Sequence, residues 1–223
     1  ETRRLLNQLQ TAQENLQRKE DRLRELEENV TEGRQDVTRM RAELEARNAR
    51  LAELERILNR KDSAVNALKE SVSNALMGFE GQGLTVEMKN GKVYVSMDEK
   101  LLFRSGSYEV DARGRQALRD LAGVLERNKD VNIMIEGHTD DVPYRSGPVI
   151  QDNWDLSVLR ATSVLKILME SGNIDPSRLT AAGRGEYQPV EPAKTVTARS
   201  KNRRTEIILT PKLDELLRIL EAN

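Results

Sequence analysis

The stretch "VNIMIEGHTDD", residues 131–141, changes character in its middle. Its first five residues form a short apolar run of the length of a buried strand. The rest holds the only histidine of the chain, His138, crowded by Glu136, Asp140 and Asp141. A buried strand that ends in titratable side chains sets them at a sheet edge, where ligands often bind in open α/β sheets.

The sequence around this strand supplies its partners. Upstream, "LTVEM" and "KVYVSM" flank "KNG" and read as a β-hairpin. "LLFRSGSYEV" (101–110) leads into a helix at about 111–128, where Leu118, Leu121, Ala122 and Leu125 make one apolar face. Downstream, a second helix is expected over about 154–171, with Asp152 or Asn153 as N-cap and Gly172 as its stop. "RLTAAGRG" predicts a short strand with a turn, "TEIILT" (205–210) an apolar strand, and residues 212–222 a last amphipathic helix. Strands alternating with helices predict an α/β (α+β) two-layer sandwich with both helices packed on one sheet.

The N-terminal third is of another kind. All aromatic residues lie between Phe79 and Tyr187, and Gly33 is the single glycine before residue 78. Leu9, Leu16, Leu23, Val30, Val37, Leu44, Leu51, Leu58, Val65 and Val72 recur every seven residues without a break. The companion series from Leu5 to Ala75 is apolar at most positions, interrupted by Gly33 and by Lys19, Arg47 and Lys61. This 3–4 seam predicts a left-handed coiled coil through residues 5–76, which at 1.5 Å per residue is roughly 108 Å long. A helical hairpin turning at "TEGR" (31–34) is the alternative, but a turn gives no reason to keep the heptad phase on both sides. In a parallel pair the flanking positions meet as Arg22–Glu27, Asp36–Arg41 and Arg50–Glu55, all attractive. A parallel homodimer is therefore expected, with the basic seam residues leaving a trimer or a heteromeric partner open. Three glycines in "MGFEGQG" (77–83) mark a linker. The division is then a coiled-coil stalk over 1–77, a Gly-rich linker over 78–83 and a globular domain over 84–223.

Composition bounds the function. Charged residues make up 33% of the chain, as a long solvated helix requires, yet the net charge is −1. Nothing in that balance favours nucleic acid. No cysteine is present, so disulfides and thiolate chemistry are excluded. No apolar run reaches the roughly 18–20 residues of a membrane helix. The heptad register is already running at Leu5 and no Met begins the chain, so upstream sequence, with any membrane anchor, is expected beyond Glu1.

One histidine and no cysteine make a poor transition-metal site, and no EF-hand spacing is present. No GxSxG, HExxH or phosphate-loop motif accompanies the paired carboxylates. No metal, cofactor or catalysis is expected. His138 is expected to hydrogen-bond neighbouring backbone and hold the loop. Asp140 can do more. Asn153, Leu156 and Arg160 share one face of the following helix. If that helix begins beside the strand end, an acid and a base border one pocket, suited to a zwitterion. The plain alternative is a structural salt bridge between Asp140 and Arg160.

"GHTDD" followed by "NWDLSVLRA" (153–161) and "NRRTEI" (202–207) resembles the C-terminal peptidoglycan-binding domain of the OmpA/MotB/Pal family, over about residues 84–211. "LLFRSGS" (101–107) matches the family's lead-in to its first helix, and Trp154 with the long stretch before Asn153 is most similar to the flagellar stator branch. The resemblance implies that Asp140 and Arg160 hold the diaminopimelate of the peptidoglycan stem peptide. It implies that Thr139, Asn153, Leu156 and Phe103 line or shape that pocket, and that one of Arg203 and Arg204 faces the ligand. Arg104 stands where members often carry an acid. The function so implied is non-enzymatic anchoring of an envelope protein to the cell wall from the periplasm, with membrane attachment only through an anchor outside this chain. A stator-like or adaptor subunit whose coiled coil recruits partners, and a peptidoglycan hydrolase, are the competing readings.

Overall fold

A computed structural model describes residues 1–104, 107–145 and 149–212. Beyond Lys212, the helix expected at 212–222 lies outside the described residues. The chain divides into two compact units, Glu1–Arg56 and Ile57–Asn223.

The first helix, α1, runs Thr2–Leu76. Residues 31–34 are helical, so the hairpin alternative does not occur. Helix continues through Gly33 although glycine costs about 1 kcal/mol there relative to alanine. In the first unit the sevenfold series is solvent-exposed, from 51% at Val37 to 60% at Leu9. In the second unit the same series is extinguished: Leu58 is 47% exposed, Val65 1% and Val72 0%. Val65, Leu68, Val72 and Leu76 join one buried cluster with inward residues of the sheet such as Val93, Val95, Ile207 and Leu209. The packing boundary thus lies at Ile57, upstream of the glycine-rich stretch. That stretch is itself a tight connection. A 3-10 turn at Met77–Phe79 is followed by Gly81 and Gly83 at φ 71° and 93°, values that glycine adopts at little cost.

The sheet comprises β1 (Leu84–Lys89), β2 (Lys92–Asp98), β3 (Val131–Gly137), β4 (Leu179–Gly183) and β5 (Arg204–Pro211), in the order β1-β2-β5-β3-β4. β3 and β4 are parallel and the other pairs antiparallel. Asn90 and Gly91 close the first hairpin with φ 52° and 66°, the positive pair that a two-residue I′ turn requires. The short α2 (Glu99–Leu102) leaves β2, and α3 (Ala112–Arg127) is capped by Asp111, which accepts from the N–H groups of Arg113 and Gly114. The fourth helix, α4 (Asn153–Ser171), is capped by Asp152 in the same way and forms the crossover from β3 to β4. A fifth, α5 (Val196–Asn202), was not anticipated from the sequence. With helices covering one face of a five-stranded sheet, the expected two-layer sandwich preceded by a long helix is what the chain forms.

Two glycines set how the first turn of α4 meets the sheet. Gly137 and Gly183 are paired neighbours on β3 and β4. A Cβ at Gly137 would lie 2.1 Å from the Ser157 carbonyl oxygen, and one at Gly183 2.4 Å from Ser157 Oγ. Only bare backbone lets α4 approach this closely, and the approach brings its N-terminal turns beside the loop that follows β3.

Candidate functional site

The three carboxylates around His138 have different fates. Glu136 lies on the outer face of the sheet, paired across strands with Glu206. Its Oε1 accepts from Arg184 at 2.5 Å, while Glu206 Oε1 accepts from Arg204 at 2.7 Å. His138, 1% exposed, lies between them, with Nε2 3.8 Å from one remaining carboxylate oxygen and 3.9 Å from the other. These are too long for hydrogen bonds, and neither ring nitrogen has a partner among the described residues. The expectation that the ring hydrogen-bonds backbone is therefore corrected. It is the backbone N–H of His138 that donates, to the Arg204 carbonyl, and the ring fills space. Burial, then the charges of Arg204 and Arg184, push the imidazole pKa down to about 3, so the ring is neutral. Glu136, His138 and Glu206 could present three ligand atoms to a metal. Each carboxylate is, however, already matched by a guanidinium, which removes the charge that would draw a cation.

Asp141 pairs with Arg199 of α5 through both oxygens, at 2.6 and 3.1 Å. Asp140 turns the other way. Its Oδ1 accepts from the Val142 N–H, fixing the loop as an Asx-type turn, and Oδ2 accepts from Arg203 Nη1 at 2.6 Å. Arg203 in turn donates through Nε to Glu99 Oε2 at 2.5 Å, and Arg160 Nη2 donates to Glu99 Oε1 at 2.5 Å. Four charges thus form one chain: Asp140, Arg203, Glu99, Arg160. The direct salt bridge weighed between Asp140 and Arg160 is absent, and each has a different partner. Arg160 is held further by a bond from Nε to the Ser107 carbonyl, and it lies over the Phe103 ring at 5.0 Å.

These residues border a cavity of about 240 Å³. Asp140, Thr139, Asn153, Leu156, Arg160 and Arg203 all line it. Phe103 is not at the wall but underlies Arg160. Arg204 is elsewhere, buried against Glu206 and the carbonyls of Asn202 and Gln188, so of the two arginines it is Arg203 that faces the cavity. Asn153 Nδ2 ties the walls together by donating to the Val142 carbonyl and to Glu186. Thr139 Oγ1 and Asn153 Oδ1 are buried without a hydrogen-bond partner among the described residues. Buried polar atoms are seldom left so unless a ligand or solvent answers them.

Glu99 was missed by sequence reasoning. Its only signal is an acid one helical turn before Phe103, and nothing in the pattern shows that β2 ends opposite the Arg203 carbonyl, to which the Glu99 N–H donates. Arg104, which stands where members of the resembled family often carry an acid, is exposed and does not line the cavity, whereas Glu99 does.

The chain is similar to several known proteins. Motility protein B of Bacillus subtilis (strain 168) is 33% identical over 129 residues, which cover 58% of this chain and 49% of that protein. The chain therefore spans about half the length of that relative. A MotB-like protein from Desulfovibrio vulgaris superposes with a TM-score of 0.63 at 29% identity, over 71% of this chain and 99% of that one. The cell wall anchor of the T6SS from Pseudomonas aeruginosa gives 0.58 at 28% identity, over 63% of this chain and 97% of that one. Residues 102–203 match the profile of the OmpA family. The chain therefore carries an OmpA/MotB-like domain, matched to the OmpA family over residues 102–203 and similar to motility protein B.

Proposed function

We propose that the domain binds peptidoglycan without catalysis, by capturing the ammonium and carboxylate at the side-chain end of diaminopimelate, and so anchors an envelope protein to the cell wall. The cavity carries the reading. Asp140 and Arg160 open onto one space, which Thr139 and Asn153 also line. An ammonium fits the Asp140 end and a carboxylate the Arg160 end. Similarity to a Pseudomonas cell wall anchor supports the anchoring role. The exposed heptad face supports a parallel homodimer, in which two copies bury the leucines that one copy leaves in water. Its seam extends to about Leu58, shorter than the sequence expectation of 5–76, because Val65, Leu68 and Val72 are buried by their own unit.

Calorimetric titration of stem peptides tests the ligand. Charge-assisted hydrogen bonds contribute about 1.5–3 kcal/mol each, so Arg160→Ala should weaken binding roughly ten- to a hundred-fold. A peptide with lysine in place of diaminopimelate keeps the ammonium but lacks the adjoining carboxylate. It should bind the native chain more weakly, and Arg160→Ala should narrow the difference. Asp140→Asn should weaken both peptides. Near-native affinity for the diaminopimelate peptide in both folded variants would overturn the assignment.

A further inference from the structure

We propose that Glu99 is a specificity-determining residue of this cavity, setting its charge to zero so that it accepts a zwitterionic group and disfavours a carboxylate alone. The inference rests on the diaminopimelate reading and extends it. Among the described residues that line the cavity, the charged ones are Glu99, Asp140, Arg160 and Arg203. Two positive and two negative charges cancel. Without Glu99, two guanidiniums would face one carboxylate, and the excess positive charge would draw any small anion.

Glu99 is built into this position. It is 9% exposed, and its N–H donates to the Arg203 carbonyl at 2.9 Å. One carboxylate oxygen goes to each arginine, so the group sits between two like charges that would otherwise repel. A ligand that brings an ammonium and a carboxylate leaves this balance unchanged. A ligand that brings only a carboxylate adds net negative charge to a cavity that already holds two acids. Discrimination of this kind comes from the repulsive element as much as from the attractive one.

Two seven-carbon diacids provide the probes: meso-diaminopimelate, with an ammonium beside each carboxylate, and pimelate, with none. NMR titration of the full chain measures both affinities in native protein, in Glu99→Gln and in Glu99→Asp, the last keeping the charge. The native chain should prefer diaminopimelate. Glu99→Gln should weaken diaminopimelate and tighten pimelate, lowering the preference by roughly tenfold or more, as loss of one nearby charge in a partly buried site implies. Glu99→Asp should retain most of the preference. Should Glu99→Gln fail to fold, Arg203→Gln gives the mirror test. With net negative charge it should gain affinity for 1,5-diaminopentane relative to diaminopimelate. An equal change in both affinities in folded Glu99→Gln, or loss of the preference in Glu99→Asp as large as in Glu99→Gln, would overturn the role of Glu99. Absence of diaminopimelate binding by the native chain would instead overturn the proposed function itself.

Discussion

Acidification should destabilise the domain through one ring. The folded chain holds His138 neutral down to a pKa of about 3, against 6.5 for the free side chain. Below pH 6.5 the unfolded chain takes up a proton that the folded chain refuses. The unfolded state then binds more protons, so stability rises with pH and falls as pH is lowered through this window. Each pH unit is worth about 1.4 kcal/mol once the unfolded ring is charged. From about pH 7.5 to pH 5 the active span is the 1.5 units below 6.5, a loss of about 2 kcal/mol. Asp141 and Asp175 are lowered, the first by its bond from Arg199 and the second by its bond from the Ser177 N–H, so they act at lower pH. Asp98 is raised by burial, so its contribution has the opposite sign and offsets part of the loss wherever it titrates. Urea unfolding followed by the fluorescence of the only tryptophan, Trp154, gives stability at each pH. His138→Gln should abolish the slope, whatever it does to stability at pH 7.5. The chain has one histidine, so its ring resonance in the folded protein can be assigned without ambiguity and should not titrate above pH 5. A folded-state ring titrating near 6.5, or equal slopes in native and variant protein, would refute the reasoning.

Thermal melts with and without chelator should coincide, because Glu136 and Glu206 are already matched by arginines; a drop of several degrees would make the cluster around His138 a metal site. Gly137→Ala should destabilise by about 3 kcal/mol or more in a denaturant titration, since its Cβ would meet the Ser157 backbone rather than a movable side chain. Sedimentation should find the full chain as a dimer, and Leu23→Asp with Leu44→Asp should return it to a monomer without lowering the melting temperature of the second unit; a native monomer would remove the coiled-coil proposal.

What was legible in the sequence is what local chemistry writes. The Asn90-Gly91 turn, the Asp152 cap and the long apolar period each carry their own cause within a few residues. α5 is seven residues of mostly polar sequence, with no periodic face long enough to register. The site was half legible. Asp140 and Arg160 stand at a strand end and on a helix face, positions that pattern predicts. Glu99 is brought to them only by the antiparallel pairing of β2 with β5, a contact across more than a hundred residues of chain. The heptad pattern likewise could not say which apolar residues meet another chain and which meet their own, since Leu51 and Val72 occupy the same phase yet only Val72 is buried.

Val65, Leu68, Val72 and Leu76 are embedded in the core with Leu118, Leu121 and Ile207. Tension applied along this part of α1 would be resisted by that core in shear, before the connection at 77–83 is stretched. The glycines at 81 and 83 then act as the bend that returns the chain to β1, and not as an elastic tether. Such an attachment transmits a pull into the sheet with little slack, and it yields only when four buried side chains are dragged into water together.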